Sequence, residues 1–488
     1  MGRGYNWLCA GIAGSGSMIY GYDSAIIAST FGQAGFINFF KPNATVLGAI
    51  VSSYYGGLLV GLLFVTFLAD SIGRKRTIQI GACIALVGAI LQTVAQNLPT
   101  FFAGRVIGGM ASGVMLLVVN VYQAEIAPPH LRGRMVSFQI VTLTSSGGLA
   151  SWVGYACNFS TNESFSWRFP IGLQCLPAVV LIFGCFYIPF SPRWLISKNR
   201  HEEAKVILAR LHDDSEDPLF WEREYLQISA QAAVEAQEMK TSKWTHLFTN
   251  ASERKRVLIA IVAMTCVQTN GAQTIQAYQS TLYSGLGFSP RNTLLMAGVF
   301  QICLIIGGIV NLSLIDYAGR RVLFLSGLIL LSVCLGLFAA FSAKFGETAS
   351  NSWGKAGVSM VMIFIFFFGA TFNASPYAYA AEVLPTKIRA KGMVIALFCA
   401  NAITVMFTQT APIALEAITW KFSFIFVACN LAFFPIIWIF FPETKGLTLE
   451  EVNRAFGDKV EVEMDQMTDA EVQKMGTEVR HFEQQSEA

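Results

Sequence analysis

The sequence predicts an all-α membrane protein: twelve transmembrane helices in two pseudo-symmetric six-helix bundles. Three observations predict it. Hydrophobic residues make up 54% of the 488, charged residues only 13%, and mean hydropathy is +0.51; a soluble domain carries about 25% charged residues. Apolar runs long enough for the roughly 20 residues that cross a bilayer recur twelve times. Charged signatures also recur about half a chain apart, each between apolar runs. Asp70-Ser71-Ile72-Gly73-Arg74-Lys75-Arg76 is matched by Asp316-Tyr317-Ala318-Gly319-Arg320-Arg321. Ala124-Glu125-Ile126-Ala127-Pro128, then Arg132-Gly133-Arg134, is matched 257 residues on by Ala381-Glu382-Val383-Leu384-Pro385, then Arg389-Ala390-Lys391-Gly392.

The first six spans are expected at about 8–30, 46–69, 77–95, 101–123, 135–157 and 167–188. The second six are expected at about 257–282, 292–315, 322–343, 356–381, 391–412 and 420–441, each sized by the apolar length that crosses a bilayer. Residues 1–188 then form an N-terminal bundle, 189–256 a linker, 257–441 a C-terminal bundle and 442–488 a tail. The first span follows about seven residues with no small-residue cleavage site, so it is expected to remain as a signal anchor. Met1-Gly2-Arg3-Gly4-Tyr5-Asn6 lacks the Ser or Thr of a myristoylation signal.

Charges between the spans orient the bundle. Loops after even-numbered spans hold Arg74, Lys75 and Arg76, then Arg132 and Arg134, then Arg320 and Arg321, then Lys387, Arg389 and Lys391. The opposite loops hold only Lys41, Arg168, Arg291, Lys344, Lys355 and Lys421. The positive-inside rule therefore puts both termini in the cytoplasm, with the plasma membrane as the expected location. Glycosylation sequons at Asn43, Asn158 and Asn162 then fall in outer loops, while those at Asn250, Asn311 and Asn373 fall inside or within helices and are expected to be unused.

In the linker, His201–Leu211 reads as an amphipathic helix, and the polar, acid-rich tail is expected to be mostly disordered. The ten cysteines, nearly all in apolar runs and without a Cys-x-x-Cys pair, read as packed free thiols. All five histidines fall in terminal-side segments, which argues against a metal site or histidine relay in the membrane. No cofactor is expected. A nucleic-acid partner would need a basic patch on a soluble face, which the sequence lacks. The expected partners are a small solute, the proton and the bilayer, and the chain is expected to act as a monomer.

Two charged residues lie clearly inside spans: Asp23 and Arg105. Either costs several kcal/mol in lipid, so each is a functional candidate with a partner. Helical rise puts Asp23 roughly 10 Å and Arg105 roughly 6 Å from the outer ends of their spans, close enough in depth to meet. Paired, the carboxylate stays ionised; separated, it is free to bind a proton. A permanent structural salt bridge is the competing reading. Asp70, Gly73, Arg74, Lys75, Glu125, Arg132, Arg134, Asp316, Gly319, Arg320, Arg321, Glu382 and Arg389 map to the inner rim. There they are expected to form a gate that latches the two bundles, or else to serve as interfacial anchors.

At these residues the chain resembles the sugar porter family of the major facilitator superfamily, fungal-type members in particular. The resemblance covers about residues 15–455 and is carried by Gly21-Tyr22-Asp23, Asp70–Lys75, Gly104-Arg105-Val106-Ile107-Gly108-Gly109, Glu125–Arg134, Ser191-Pro192-Arg193-Trp194-Leu195, Asp316–Arg321, Glu382–Gly392 and Pro442-Glu443-Thr444-Lys445-Gly446. It implies six helices plus six, alternating access, a central solute site, and Asp23 with Arg105 as the proton-coupling pair.

The positions at which the family contacts sugar match poorly. The family's Gln-Gln-x-x-Gly-x-Asn of the seventh span reads Val267-Gln268-Thr269-Asn270-Gly271-Ala272-Gln273. Of the following Tyr pair only Tyr278 is kept, after Ala277. The fifth-span Gln falls on Ile140, beside Gln139; the tenth-span Gly-Pro-x-x-Trp reads Asn373-Ala374-Ser375-Pro376-Tyr377; the eleventh-span Asn-Trp falls on Ala400-Asn401. The Glu of Pro-Glu-Ser-Pro-Arg is Phe190. The expected solute contacts are therefore Gln268, Gln273, Tyr278, Tyr377, Asn401 and Gln139. Gln268 and Gln273 diverge by roughly 140° unless the helix breaks, and Gly271 favours a break between them. Pro376 removes a helical hydrogen bond just before Tyr377, while Tyr379, about 200° from Tyr377, should face elsewhere.

The resulting expectation is a proton-coupled symporter of a sugar or polyol. A porter or exporter of another hydroxylated metabolite and a non-transporting nutrient sensor are the alternatives. A membrane enzyme lacks support: no nucleophile–base pair, metal spacing or phosphate loop is found among the spans.

Overall fold

A computed structural model describes residues 2–127, 132–211, 221–222, 224–230, 250–445 and 456. Among the described residues the chain is helical, without strands. The N-terminal half holds the first span (Gly2–Phe31), second (Ala44–Ser71), third (Arg74–Val94), fourth (Leu98–Ile126), fifth (Arg132–Cys157) and sixth (Glu163–Gly172 with Cys175–Gly184). The C-terminal half holds the seventh (Ala251–Thr269 with Ala272–Gly285), eighth (Pro290–Ala318), ninth (Arg320–Thr348), tenth (Asn351–Phe372 with Ser375–Val383), eleventh (Thr386–Ile418) and twelfth (Ser423–Phe440).

Nine segments among the described residues are long and apolar enough to cross a membrane, the last of them running through both the eleventh and twelfth spans. The first and fifth spans are absent from that set because both are rich in Gly, Ser and Thr. The outward faces carry exposed Phe67, Phe183, Phe186, Val333, Trp438 and Ile439, as lipid contact requires. The chain is a multi-pass membrane protein.

Local signals set the helix starts. Asn43 accepts from Val46 N at 2.9 Å, Asn97 from Thr100 N at 2.9 Å and Asn250 from Ser252 N at 3.2 Å, each satisfying a backbone donor that the helix leaves free. Three spans are broken, the sixth without having been expected to be. The sixth breaks at Leu173–Gln174, between Pro170 and Pro177. The seventh breaks at Asn270–Gly271, where Gly271 adopts φ +94°, a left-handed value that costs other residues a steric penalty. The tenth breaks at Asn373–Ala374, with Pro376 at the start of its second piece. A short helix at Ala34–Phe40 was not expected. In the linker the helix at His201–Leu211 forms as expected, preceded by Pro192–Ser197; residues 212–220, 223 and 231–249 of the linker and nearly all of the tail lie outside the described residues. The ten cysteines are free.

Small residues let the helices of each half approach closely. A Cβ on Gly57 would lie 2.1 Å from Val106 O, and one on Gly109 2.0 Å from Tyr54 O, so the second and fourth spans touch backbone to backbone. Gly307 against Phe366 O, at 2.3 Å, repeats the device between the eighth and tenth spans.

The hydrogen bonds described between the halves run from mid-height to the face remote from the termini. Ser52 Oγ donates to Gln409 Oε1 at 2.6 Å, Gln409 Nε2 to Thr45 O at 3.4 Å, Tyr278 Oη to Leu47 O at 3.4 Å and Ser280 Oγ to Ala28 O at 2.6 Å. A Cβ on Gly48 would meet Gln409 O at 2.4 Å. The halves are thus clasped together at the distal face.

Candidate solute and proton site

The structure brings Asp23 and Arg105 together, but not as an ion pair. Both are almost fully buried, at 4% and 1% exposure. Arg105 donates from Nη1 to the backbone carbonyl of Asp23 at 3.4 Å and from Nε to Ile50 O at 3.3 Å. Its guanidinium lies 4.4 Å over the Tyr54 ring. Asp23 Oδ1 is buried without a hydrogen-bond partner. The carboxyl group therefore sits beside a cation that is bonded elsewhere.

The seventh-span break turns Gln268 and Gln273 onto separate helical pieces. Gln268 is buried with Oε1 unmatched. Asn270 Oδ1 caps the second piece at Ala272 N, 2.9 Å, leaving its Nδ2 unmatched. Gln273 Oε1 receives the Tyr55 hydroxyl at 3.5 Å, and Tyr20 also faces Gln273, Tyr55 and Tyr377. Gln273 and Tyr377 thus share one centre with Tyr20 and Tyr55. Tyr379 is buried elsewhere, stacked on Phe441 with centroids 5.0 Å apart. Asn311 fills the tenth-span break, donating to Ala370 O at 2.7 Å and accepting from Ala374 N at 3.3 Å.

Three further expected contacts have other surroundings. Tyr278 donates to Thr408 O at 2.7 Å and stacks on Phe31, so its polar end serves the distal clasp. Asn401 donates to Leu397 O of its own helix at 2.8 Å. Gln139 is buried with Oε1 unmatched, in a stretch whose Phe138, Thr142 and Leu143 pack on the first span at Gly14 and Gly21. Tyr20, Tyr54 and Tyr55 were missed because uncharged aromatics in apolar runs read as packing. Only their unusual hydroxyls, one turn from Asp23 or adjacent on the second span, were available as a signal.

The Sugar (and other) transporter model matches residues 9–456. The chain belongs to that family. It is 29% identical to the MFS-type transporter criB of Aspergillus cristatus over 96% of this chain and 97% of that protein. It is 31% identical to the MFS glucose transporter mfs1 of Aspergillus flavus, over 92% of this chain and 89% of that one. A structure titled as the proton:xylose symporter XylE bound to 6-bromo-6-deoxy-D-glucose matches with a TM-score of 0.76 at 21% identity, covering 93% of this chain and 100% of that one. This likeness establishes the twelve-helix major facilitator fold. The relatives named are transporters, a non-enzymatic class.

The terminal rim carries two related networks among the described residues, one in each half. Arg74 pairs with Asp70 at 3.0 Å and Glu125 at 3.1 Å and donates to Ala69 O at 3.0 Å. Arg320 pairs with Glu382 at 2.9 Å and donates to Ile315 O at 3.1 Å. Gly73 and Gly319 begin the third and ninth spans with the same φ of +88°. Glu443, absent from the expected gate, accepts from Arg320 N at 3.0 Å and Arg321 N at 3.1 Å. The Arg321 side chain donates to Trp438 O, and Arg389 Nε to Leu384 O at 3.1 Å. Lys75 lies 5.1 Å from the ring centre of Phe190. The ion pairs described on this rim join residues of one half. The side chains of Arg132, Arg134 and Asp316 lie outside the described residues. Asn43, Asn158 and Asn162 all stand at the distal face; Asn43 and Asn162 also cap helices.

Proposed function

We propose that the protein is a proton-coupled symporter that moves a sugar or polyol across the membrane by alternating access. The observation that carries the proposal is the buried Asp23 carboxyl, whose neighbour Arg105 is bonded to backbone carbonyls instead. An opposite charge in contact favours the ionised carboxylate, and its withdrawal leaves the group free to hold a proton. The pair thus has two states that differ by one proton, which is what coupling needs.

Solute binds between the halves at Gln268, Gln273 and Tyr377, with Tyr278, Asn401 and Gln139 around it. The buried, unmatched Gln268 Oε1 and Asn270 Nδ2 are groups that gain most from a polyhydroxylated ligand, since an unmet buried polar atom costs about 1–3 kcal/mol. On this reading the termini are cytoplasmic, the location is the plasma membrane, and the distal clasp makes this arrangement inward-facing. In the opposite state the inner rims approach, and Asp70, Arg74, Lys75, Glu125, Arg132, Arg134, Asp316, Arg320, Arg321, Glu382 and Arg389 latch across the halves around the turns at Gly73 and Gly319. Asn43, Asn158 and Asn162 then face outside and are available for glycosylation.

A second reading, a porter or exporter of a non-sugar hydroxylated metabolite, is favoured by Ile140, Val267 and Ala400, which stand where family members carry amides. Counterflow in proteoliposomes against hexoses, pentoses, linear polyols and cyclic hydroxy acids separates the two. Exchange of a sugar or polyol supports the first reading; exchange of the cyclic acids alone replaces it with the second.

A further inference from the structure

The solute amides and the proton pair are joined by a continuous run of contacts through two neighbouring residues of the second span. Tyr55 directs its hydroxyl at Gln273 Oε1, 3.5 Å away. The Tyr54 and Tyr55 rings meet edge-on with centroids 5.4 Å apart. Tyr54 then carries the Arg105 guanidinium on its ring at 4.4 Å, and Ile50 O, one turn earlier on the same helix, accepts from Arg105 Nε at 3.3 Å. A desolvated guanidinium on a ring face is held electrostatically. The second span therefore holds Arg105 at two points, while Asp23 accepts one hydrogen bond from it, at a backbone carbonyl 3.4 Å away, and its carboxyl attracts it without one.

We propose that Tyr54 and Tyr55 are positioning residues that couple proton to solute: Tyr54 holds Arg105 off the Asp23 carboxyl while Tyr55 orients the Gln273 amide. The inference rests on the transport reading above. One placement of the second span does both, so the protonated state is also the state prepared for solute. When Arg105 moves to the carboxylate, the Asp23 proton passes to water, the ring contact breaks, and Tyr55 is drawn from Gln273. Proton and solute affinities then rise and fall together, as symport requires. The other titratable groups facing this centre are Tyr22 and Cys175 towards Asp23, Tyr278 towards Arg105, and Tyr20 and Tyr377 towards Tyr55.

Two measurements on the full-length protein test this. Infrared spectroscopy of the solute-free protein in mildly acidic buffer reads the protonated carboxyl band of Asp23, assigned by its loss in Asp23→Asn. Tyr54→Leu should reduce that band by about half or more, because Arg105 is released to pair with the carboxylate, while Tyr54→Phe should keep it. An undiminished band in a folded Tyr54→Leu protein overturns the proposal. In proteoliposomes, the apparent KM for radiolabelled D-glucose should differ about fivefold or more between acidic and neutral pH in the wild type, and less than about twofold in Tyr55→Phe. A Tyr55→Phe protein that binds more weakly but keeps the wild-type pH ratio overturns the coupling role and leaves Tyr55 a plain contact. A wild type whose KM ignores pH counts against the proton-coupled reading, and the infrared arm still decides the role of Tyr54.

Discussion

Glu443→Ala should destabilise the C-terminal half, by an amount that can be worked from the contacts. The carboxylate accepts from Arg320 N at 3.0 Å and Arg321 N at 3.1 Å, two donors that the start of the ninth span leaves without helical partners. Losing such a cap costs about 0.5–2 kcal/mol. Losing a negative charge at a helix N-terminus costs about 0.3–1 kcal/mol more. Glu443 is partly exposed, so water replaces some of this, and about 1–2 kcal/mol is the expected net loss. Glu443→Gln keeps an acceptor oxygen without the charge and should lose about half as much. Thermal unfolding in detergent, followed by tryptophan fluorescence, should show Tm falling in the order wild type, Gln, Ala. The N-terminal half supplies the internal comparison. Its turn has the same glycine geometry, but Phe190 stands where the carboxylate would be, stacked on Trp194 at 5.6 Å. Phe190→Gln should therefore not reproduce the Glu443→Gln loss through the cap, because no cap is there to lose. Equal Tm for wild type and Glu443→Ala would refute the capping argument.

The solute site gives two further expectations. Gln268→Ala should raise the apparent KM at least about tenfold, equivalent to about 1.4 kcal/mol, with normal surface expression; an unchanged KM would remove the seventh-span amide from the site. Tyr377→Ala should weaken binding more than Tyr377→Phe does, since its hydroxyl faces Tyr20 and Tyr55 and a tyrosine ring offers an apolar face for stacking, and equal, negligible effects would remove the tenth span. At the rim, Glu125→Ala should shift the resting population towards the terminal-side-open state by roughly five- to thirty-fold if its latch contact contributes about 1–2 kcal/mol. Cysteine accessibility from the two sides measures this, and no shift would mean that its pair with Arg74 serves only its own half.

The fold was legible because bilayer crossing imposes a length and a composition that sequence displays directly, and because duplication repeated Gly73-Arg74 as Gly319-Arg320. Asp23 and Arg105 were legible for a related reason: charge inside a span is costly enough to stand out. The breaks were partly legible, since Gly271 and Pro376 are local backbone signals, whereas the sixth-span break between Pro170 and Pro177 went unread. The partners of buried groups were not legible. Nothing in residue type distinguishes Tyr55, which reaches Gln273, from Tyr278, whose hydroxyl bonds Thr408 O at the distal clasp. Asn401 donates to its own helix and Gln139 lies in a stretch packed on the first span, surroundings that residue type does not announce. Side-chain direction at mid-membrane depends on which helices touch, and that is a tertiary fact. The rim shows the same limit, because opposite charges announce pairing but not whether the pair closes within one half or across two.

Proton coupling at Asp23 is tested most directly by accumulation in proteoliposomes under an imposed proton gradient, with wild type and Asp23→Asn compared for both uphill uptake and exchange. The account predicts uphill uptake in the wild type that Asp23→Asn abolishes while some solute exchange remains. Undiminished uphill uptake by Asp23→Asn at acidic pH would contradict it.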